Sequence, residues 1–159
     1  MDLKQIFDAI SSIQGVELDS DSAHIAVPSA SLLEVADKIK NDTSLDFDFL
    51  MCITAIDEGN SKNFIVTYNF YSNKNNHSVE IQVSVSDGED IPSLSEIWKT
   101  ANWHEREAYD MMGVNFTGHP DLKRILLPED WEGYPLRKDY KVADYYHGVP
   151  IPKDKSYWE

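Results

Sequence analysis

The chain holds one cysteine, three arginines and no apolar run approaching the ~20 residues that cross a bilayer as a helix. Each scarcity excludes something. A lone thiol, Cys52, can neither close an intrachain disulfide nor supply the four thiolates of an iron–sulfur cluster, so a reducing compartment is its natural setting. Without a long apolar run, work at a membrane requires another subunit to hold the chain there. Positive charge is scarce too: 14 lysines and arginines stand against 28 acids, a formal net charge of −14. Nucleic acid and anionic membranes are poor partners for such a chain. No G-x-G-x-x-G and no G-x-S-x-G occurs, so neither a dinucleotide fold nor a hydrolase elbow is supported. The opening MDLKQIFDAISS is amphipathic and acidic, unlike a secretory signal or an arginine-rich transit peptide.

What is present suits one domain with a real core, since 159 residues are enough to bury one. Leu3, Ile6, Phe7, Ile10 and Ile13 recur at helical spacing and predict an amphipathic helix over 3–13. Residues 16–18 and 24–27 read as short strands around the turn DSDS. Ser31 with Glu34 gives a capping-box signal for a second helix over 30–41. The run FLMCITAI, 49–56, predicts a strand buried on both faces. FIVTYNFY and VEIQVSV, flanking the turn-rich SNKNN, predict a hairpin. Residues 87–92 read as a loop, Ser93 with Glu96 as the cap of a short helix, and 103–112 as a helix closed by Gly113. Five of seven prolines lie beyond Gly118, which excludes long helices and central strands there. The expectation is an α+β domain over 1–118, with helices packed on a mixed or mainly antiparallel sheet, followed by an extended proline-rich segment over 119–159.

The most informative stretch is NWHEREAYDMMGVNFTGHPDLKRILLPEDWEGYPLRKDY, 102–140, which contains all three arginines and two of four tryptophans. Its chemistry can be read several ways. His104, Glu105, Glu107, Asp110 and His119 invite a metal, but no second Glu-x-x-His pair exists to build a dinuclear carboxylate site, and Arg106 sits among the acids. Residues 113–120 miss the phosphate loop, because His119 and Pro120 replace the Lys and Ser/Thr that motif needs. Between 119 and 146 five bases interleave with six acids, so there is no basic stripe for nucleic acid. Glu105 and Glu107, two positions apart on a helix, point in different directions and make a poor acid–base pair. Arg, Tyr and Trp are instead enriched where proteins bury themselves against one another. The expected interface or structural network is Glu105, Arg106, Glu107, Asp110, His119, Arg124, Trp131, Tyr134, Arg137 and Tyr140, with Arg106 paired to the neighbouring acids. No catalytic, cofactor or metal residue is assigned.

HEREAYDMMGVNF, GHPDLKRILLPEDWEGYPLRKDY and ADYYHG resemble the C subunit of respiratory complex I, the proton-pumping NADH:quinone oxidoreductase, including related subunits of NDH-type complexes and membrane-bound hydrogenases. The likeness is dense over about 95–148 and diffuse before it. Lys123 departs from a frequent arginine, keeping the charge but losing the planar fork. The resemblance implies a non-catalytic scaffold subunit, needed for assembly of the hydrophilic arm near the quinone-reducing module. It implies packing on the large subunit related to the hydrogenase large chain. FMN, iron–sulfur clusters, NADH and quinone would be bound by other subunits, and the chain would sit peripherally on the cytoplasmic side of the inner or thylakoid-type membrane. An equivalent hydrogenase-complex subunit and a free-standing metal or acid–base enzyme are the alternatives.

Overall fold

The computed structural model describes residues 1–59 and 62–151. Helix α1, Leu3–Ile10, starts at Asp2, whose carboxylate accepts from the Gln5 amide while the Gln5 side chain accepts from the Asp2 amide. This reciprocal cap satisfies two amides that the helix itself cannot. Strands β1, Glu17–Asp19, and β2, His24–Ala26, form the expected antiparallel pair. A 3-10 turn, Ser29–Ser31, leads into α2, Leu32–Asn41. Ser31 does not cap α2; its hydroxyl donates to the Gln14 carbonyl and ties the turn to the end of the first helical region.

Strands β3, Phe49–Asp57, β4, Asn63–Ser72, and β5, His77–Ser86, complete a five-stranded sheet of order β1-β2-β5-β4-β3. All neighbours are antiparallel except β2 and β5, so the sheet is mixed. One face is buried: Phe64, Val66, Tyr68 and Phe70 of β4 lie opposite Val85, Val83, Ile81 and Val79 of β5. Phe47 and Trp98 join this layer. The Trp98 ring lies 4.8 Å from that of Phe70 and its Nε1 donates to the Phe47 carbonyl at 3.1 Å. Burying each such side chain stabilises the fold by roughly 1.5–3 kcal/mol.

β3 is not buried on both faces. It is an edge strand, with a bulge between Leu50 and Cys52, and alternates between buried and exposed positions. A continuous apolar run therefore marked a strand whose second apolar face is left open. Residues 87–92 are not all loop: β6, Asp90–Pro92, pairs in parallel with β7, Asn115–Thr117, placing Ile91 beside Phe116 in the core. The short helix expected from Ser93 is replaced by turns, because the Ser93 hydroxyl and Leu94 amide are claimed by Glu105. Helix α3, Ala101–Met112, ends at Gly113, whose left-handed φ of 74° and bond to the Tyr109 carbonyl make the expected C-cap. From 118 to 144 no helix or strand occurs; β8, Tyr145–Tyr146, and β9, Val149–Pro150, then form a small hairpin. The remainder of the expected tail, 152–159 with Tyr157 and Trp158, lies outside the described residues.

Candidate functional site

Helix α3 fixes the site because its sequence puts acids on the side that turns inward. Glu105 and Asp110 are fully buried, whereas Glu107 is exposed. The two glutamates therefore share no site.

Asp110 is the centre of a clasp. Its Oδ2 accepts from three consecutive amides, Ile125 at 3.0 Å, Leu126 at 2.7 Å and Leu127 at 2.9 Å. Its Oδ1 accepts from Arg124 Nη1 at 2.7 Å. Burial pushes this carboxyl up, but the three amides and the guanidinium outweigh it and hold it below the usual carboxylate range. Arg124 also donates to the carbonyls of Asp110, Trp131 and Gly133. One guanidinium thus pins the helix to two separate points of the chain beyond it.

The other two arginines act alike. Arg106 donates to the carbonyls of Lys123 and Arg124 at 3.1 and 3.0 Å, rather than pairing with Glu105, Glu107 or Asp110 as expected. Arg137 donates to the Met112 carbonyl at 2.7 Å and to Asp87 at 2.8 Å, and lies over the rings of Phe64 and Tyr134 at 4.8 and 4.6 Å. His119 accepts the Asp121 amide at Nδ1, which leaves Nε2 to donate to the Asn102 carbonyl at 3.0 Å. Tyr134 fills the space beside Gly113, where a Cβ would meet its ring at 2.6 Å. Trp131 packs on Tyr146, and Tyr140 closes over Gly133. The Leu136 amide reaches the Met111 carbonyl and the Lys138 amide reaches Asp57.

Glu105 lies apart from the clasp. Its oxygens accept from Leu94 N at 2.7 Å and Ser93 Oγ at 2.5 Å, joining α3 to the turn after β6. Burial raises its pKa to about 7, against the opposing effect of these two bonds. The nearby Tyr68 hydroxyl is pushed up by burial and by the Glu105 charge.

The structure therefore gathers eight of the ten residues singled out in the sequence at the clasp, while Glu105 is bonded to the turn after β6 and Glu107 is left on the surface. Among the described residues no group of three or more His, Cys, Asp or Glu side chains is placed to hold a metal ion. Sequence reasoning missed Ser93 and Leu94 as partners of Glu105, and the backbone carbonyls that receive the arginines. It also passed over Trp103, Leu126 and Leu136, which are exposed around the clasp. Only the position of Trp103 on the outer side of a helix gave a signal.

Residues 25–146 match the family model described as "Respiratory-chain NADH dehydrogenase, 30 Kd subunit". The chain belongs to this family. The matched region runs from β2 through the clasp to β8. The chain is 50% identical over 117 residues to the NADH-quinone oxidoreductase C subunit of Chloroherpeton thalassium, a match covering 72% of this chain and 48% of that one. It thus spans about half the length of that relative. The corresponding C subunit of Chlorobium phaeobacteroides is 47% identical over 121 residues, 75% of this chain and 73% of the relative. The C 2 subunit of the Rhizobium meliloti enzyme is 39% identical over 141 residues, 86% and 78% of the two chains. A chain of the archaeal membrane-bound sulfane sulfur reductase complex shares the fold, with a TM-score of 0.70 at 21% identity, over 87% of this chain and 83% of that one. Among the described residues no helix is long and apolar enough to cross a membrane.

Proposed function

We propose that this chain is the C subunit of an NADH:quinone oxidoreductase of the complex I type, and that it acts as a non-catalytic scaffold. The observation that carries the reading is the family match over 25–146, which includes α3 and the whole clasp. The residues carrying the resemblance are spent on holding the chain to itself: three arginines on backbone carbonyls and Asp110 on backbone amides. Groups so fully engaged orient a surface and are not free to move protons or electrons. The exposed Trp103, Leu126, Leu136, Val142 and Tyr145 then offer apolar contact area around the clasp to a partner.

In this reading the partner is the large subunit of the quinone-reducing module, related to the hydrogenase large chain. Flavin, iron–sulfur clusters, NADH and quinone are bound by other subunits, and the chain lies peripherally on the cytoplasmic side of the membrane. Native purification through a tag on this chain, followed by mass spectrometry, tests it. The expected set includes the large quinone-module subunit and the flavin-bearing NADH-oxidising subunit. Recovery with hydrogenase subunits and no NADH-oxidising subunit would overturn the assignment, as would recovery of the chain alone.

A further inference from the structure

The sheet has a second face that the helices do not use. On β3 and β4 the register places Phe49 beside Tyr71 and Ile56 beside Ile65 on this side, with the pairs Cys52–Asn69 and Thr54–Thr67 between them. Phe49 remains 45% exposed, Ile56 47%, and Met51, the extra residue of the bulge, 48%. A strip with large exposed apolar side chains at both ends, on a strand at the sheet's edge, is a liability for a chain in water unless something covers it.

The other half of the face has a single sign of charge. Glu17 and Asp19 of β1 lie opposite Ala26 and His24 of β2, and Glu80 of β5 follows the same alternation as Gln82, the partner of Ala26. None of the five strands contains a lysine or an arginine. The face thus carries exposed apolar side chains along β3 and β4 and acids on β5 and β1, with His24 and Ala26 of β2 between those acids.

We propose that this open sheet face is a second docking surface, whose occupant is a neighbouring protein subunit presenting an aliphatic ridge bordered by lysine or arginine side chains. Charge decides between occupants. A second copy of this chain would set the acids of one face against those of the other, which costs affinity. An anionic lipid surface is repelled by the same acids. A cationic protein surface meets both halves, the apolar strip by burial and the acids by pairing. The proposal rests on the reading of the chain as one subunit of a larger complex, and it lies on a different surface from the clasp.

The test uses the full chain with Cys52→Ser and Thr54→Cys, so that its one thiol sits in the middle of the strip. A polar maleimide is applied to the free chain and to the complex purified through the chain's tag. Modification at least tenfold slower in the complex, together with several-fold poorer incorporation of Glu80→Lys and no change in that variant's urea midpoint, is the expected result. Equal modification rates in a chain recovered with its other subunits would overturn the docking surface while leaving the subunit reading intact. Recovery of the chain alone would instead overturn the subunit reading. A free chain that sediments as a dimer with its thiol protected would replace the proposed occupant by a second copy.

Discussion

Asp110 and Arg124 are held so closely that removing one strands the other. Asp110 is fully buried and Arg124 largely so. Breaking a buried pair from one side costs roughly 3–5 kcal/mol. We predict a loss of this order for Arg124→Ala in urea unfolding, whereas Glu96→Ala, which removes the exposed partner of Lys99, changes stability by less than ~0.5 kcal/mol. The two buried acids of α3 act oppositely with pH. Asp110, depressed in the folded state, contributes stability that is present above the ordinary value of 3.8 and lost as pH falls through its lowered pKa. Glu105, raised from 4.5 to about 7, contributes stability that is present below 4.5 and lost as pH rises towards 7. At ~1.36 kcal/mol per unit the Glu105 effect is at most roughly 3–4 kcal/mol. Glu105→Gln keeps an acceptor for the Leu94 amide and carries no charge. Its unfolding free energy should therefore be flatter than the wild type's between pH 5 and pH 8. Equal slopes in the two proteins would show that Glu105 ionises over the same pH range in the folded core as in the unfolded chain.

At the scale of elements, α3 and the segment after it form one unit, joined at Gly113. The glycine is required twice, by a φ of 74° and by the Tyr134 ring 2.6 Å from where a Cβ would lie. Gly113→Ala should lower the urea midpoint by more than the ~1–2 kcal/mol of left-handed strain alone, because Tyr134 and Arg137 must also shift. Gly88→Ala, with a similar φ but open space around it, should cost only the strain. The hairpin of β4 and β5 was legible in the sequence because β-branched and aromatic runs flank a turn-rich SNKNN, and Gly113 because it follows a charged helical stretch. The Ser31 capping box marked a real helix, α2, and the Ser93 one did not, yet neither serine caps a helix for one reason: both spend their hydroxyls on distant groups, Gln14 and Glu105, which no local pattern reveals. The parallel pair of β6 and β7 joins residues 25 apart in three-residue strands too short to show a period. The arginines of 102–140 could be singled out by their concentration, but not their partners, since backbone carbonyls leave no mark in sequence.

For the whole molecule, the clasp bears on where the domain ends. Residues 119–140 are tied to α3, β4 and the turn after β5 by Arg106, Arg124 and Arg137, so a chain cut after Lys123 loses the partner of Asp110. Such a chain should unfold at lower urea than one cut after Lys141, which keeps all three arginines. Beyond Lys141 the exposed Val142, Tyr145 and Val149 should exchange their amides rapidly in the free chain and slowly in the assembled complex, and equal exchange in both would show that no partner covers them. The proposed role is to support an NADH:quinone oxidoreductase without taking part in its chemistry. It is tested most directly by NADH-dependent quinone reduction in membranes whose native chain is replaced by Arg124→Ala, normalised to the amount of assembled complex. The account predicts less complex with unchanged turnover per complex; undiminished assembly with turnover per complex reduced tenfold or more would contradict it.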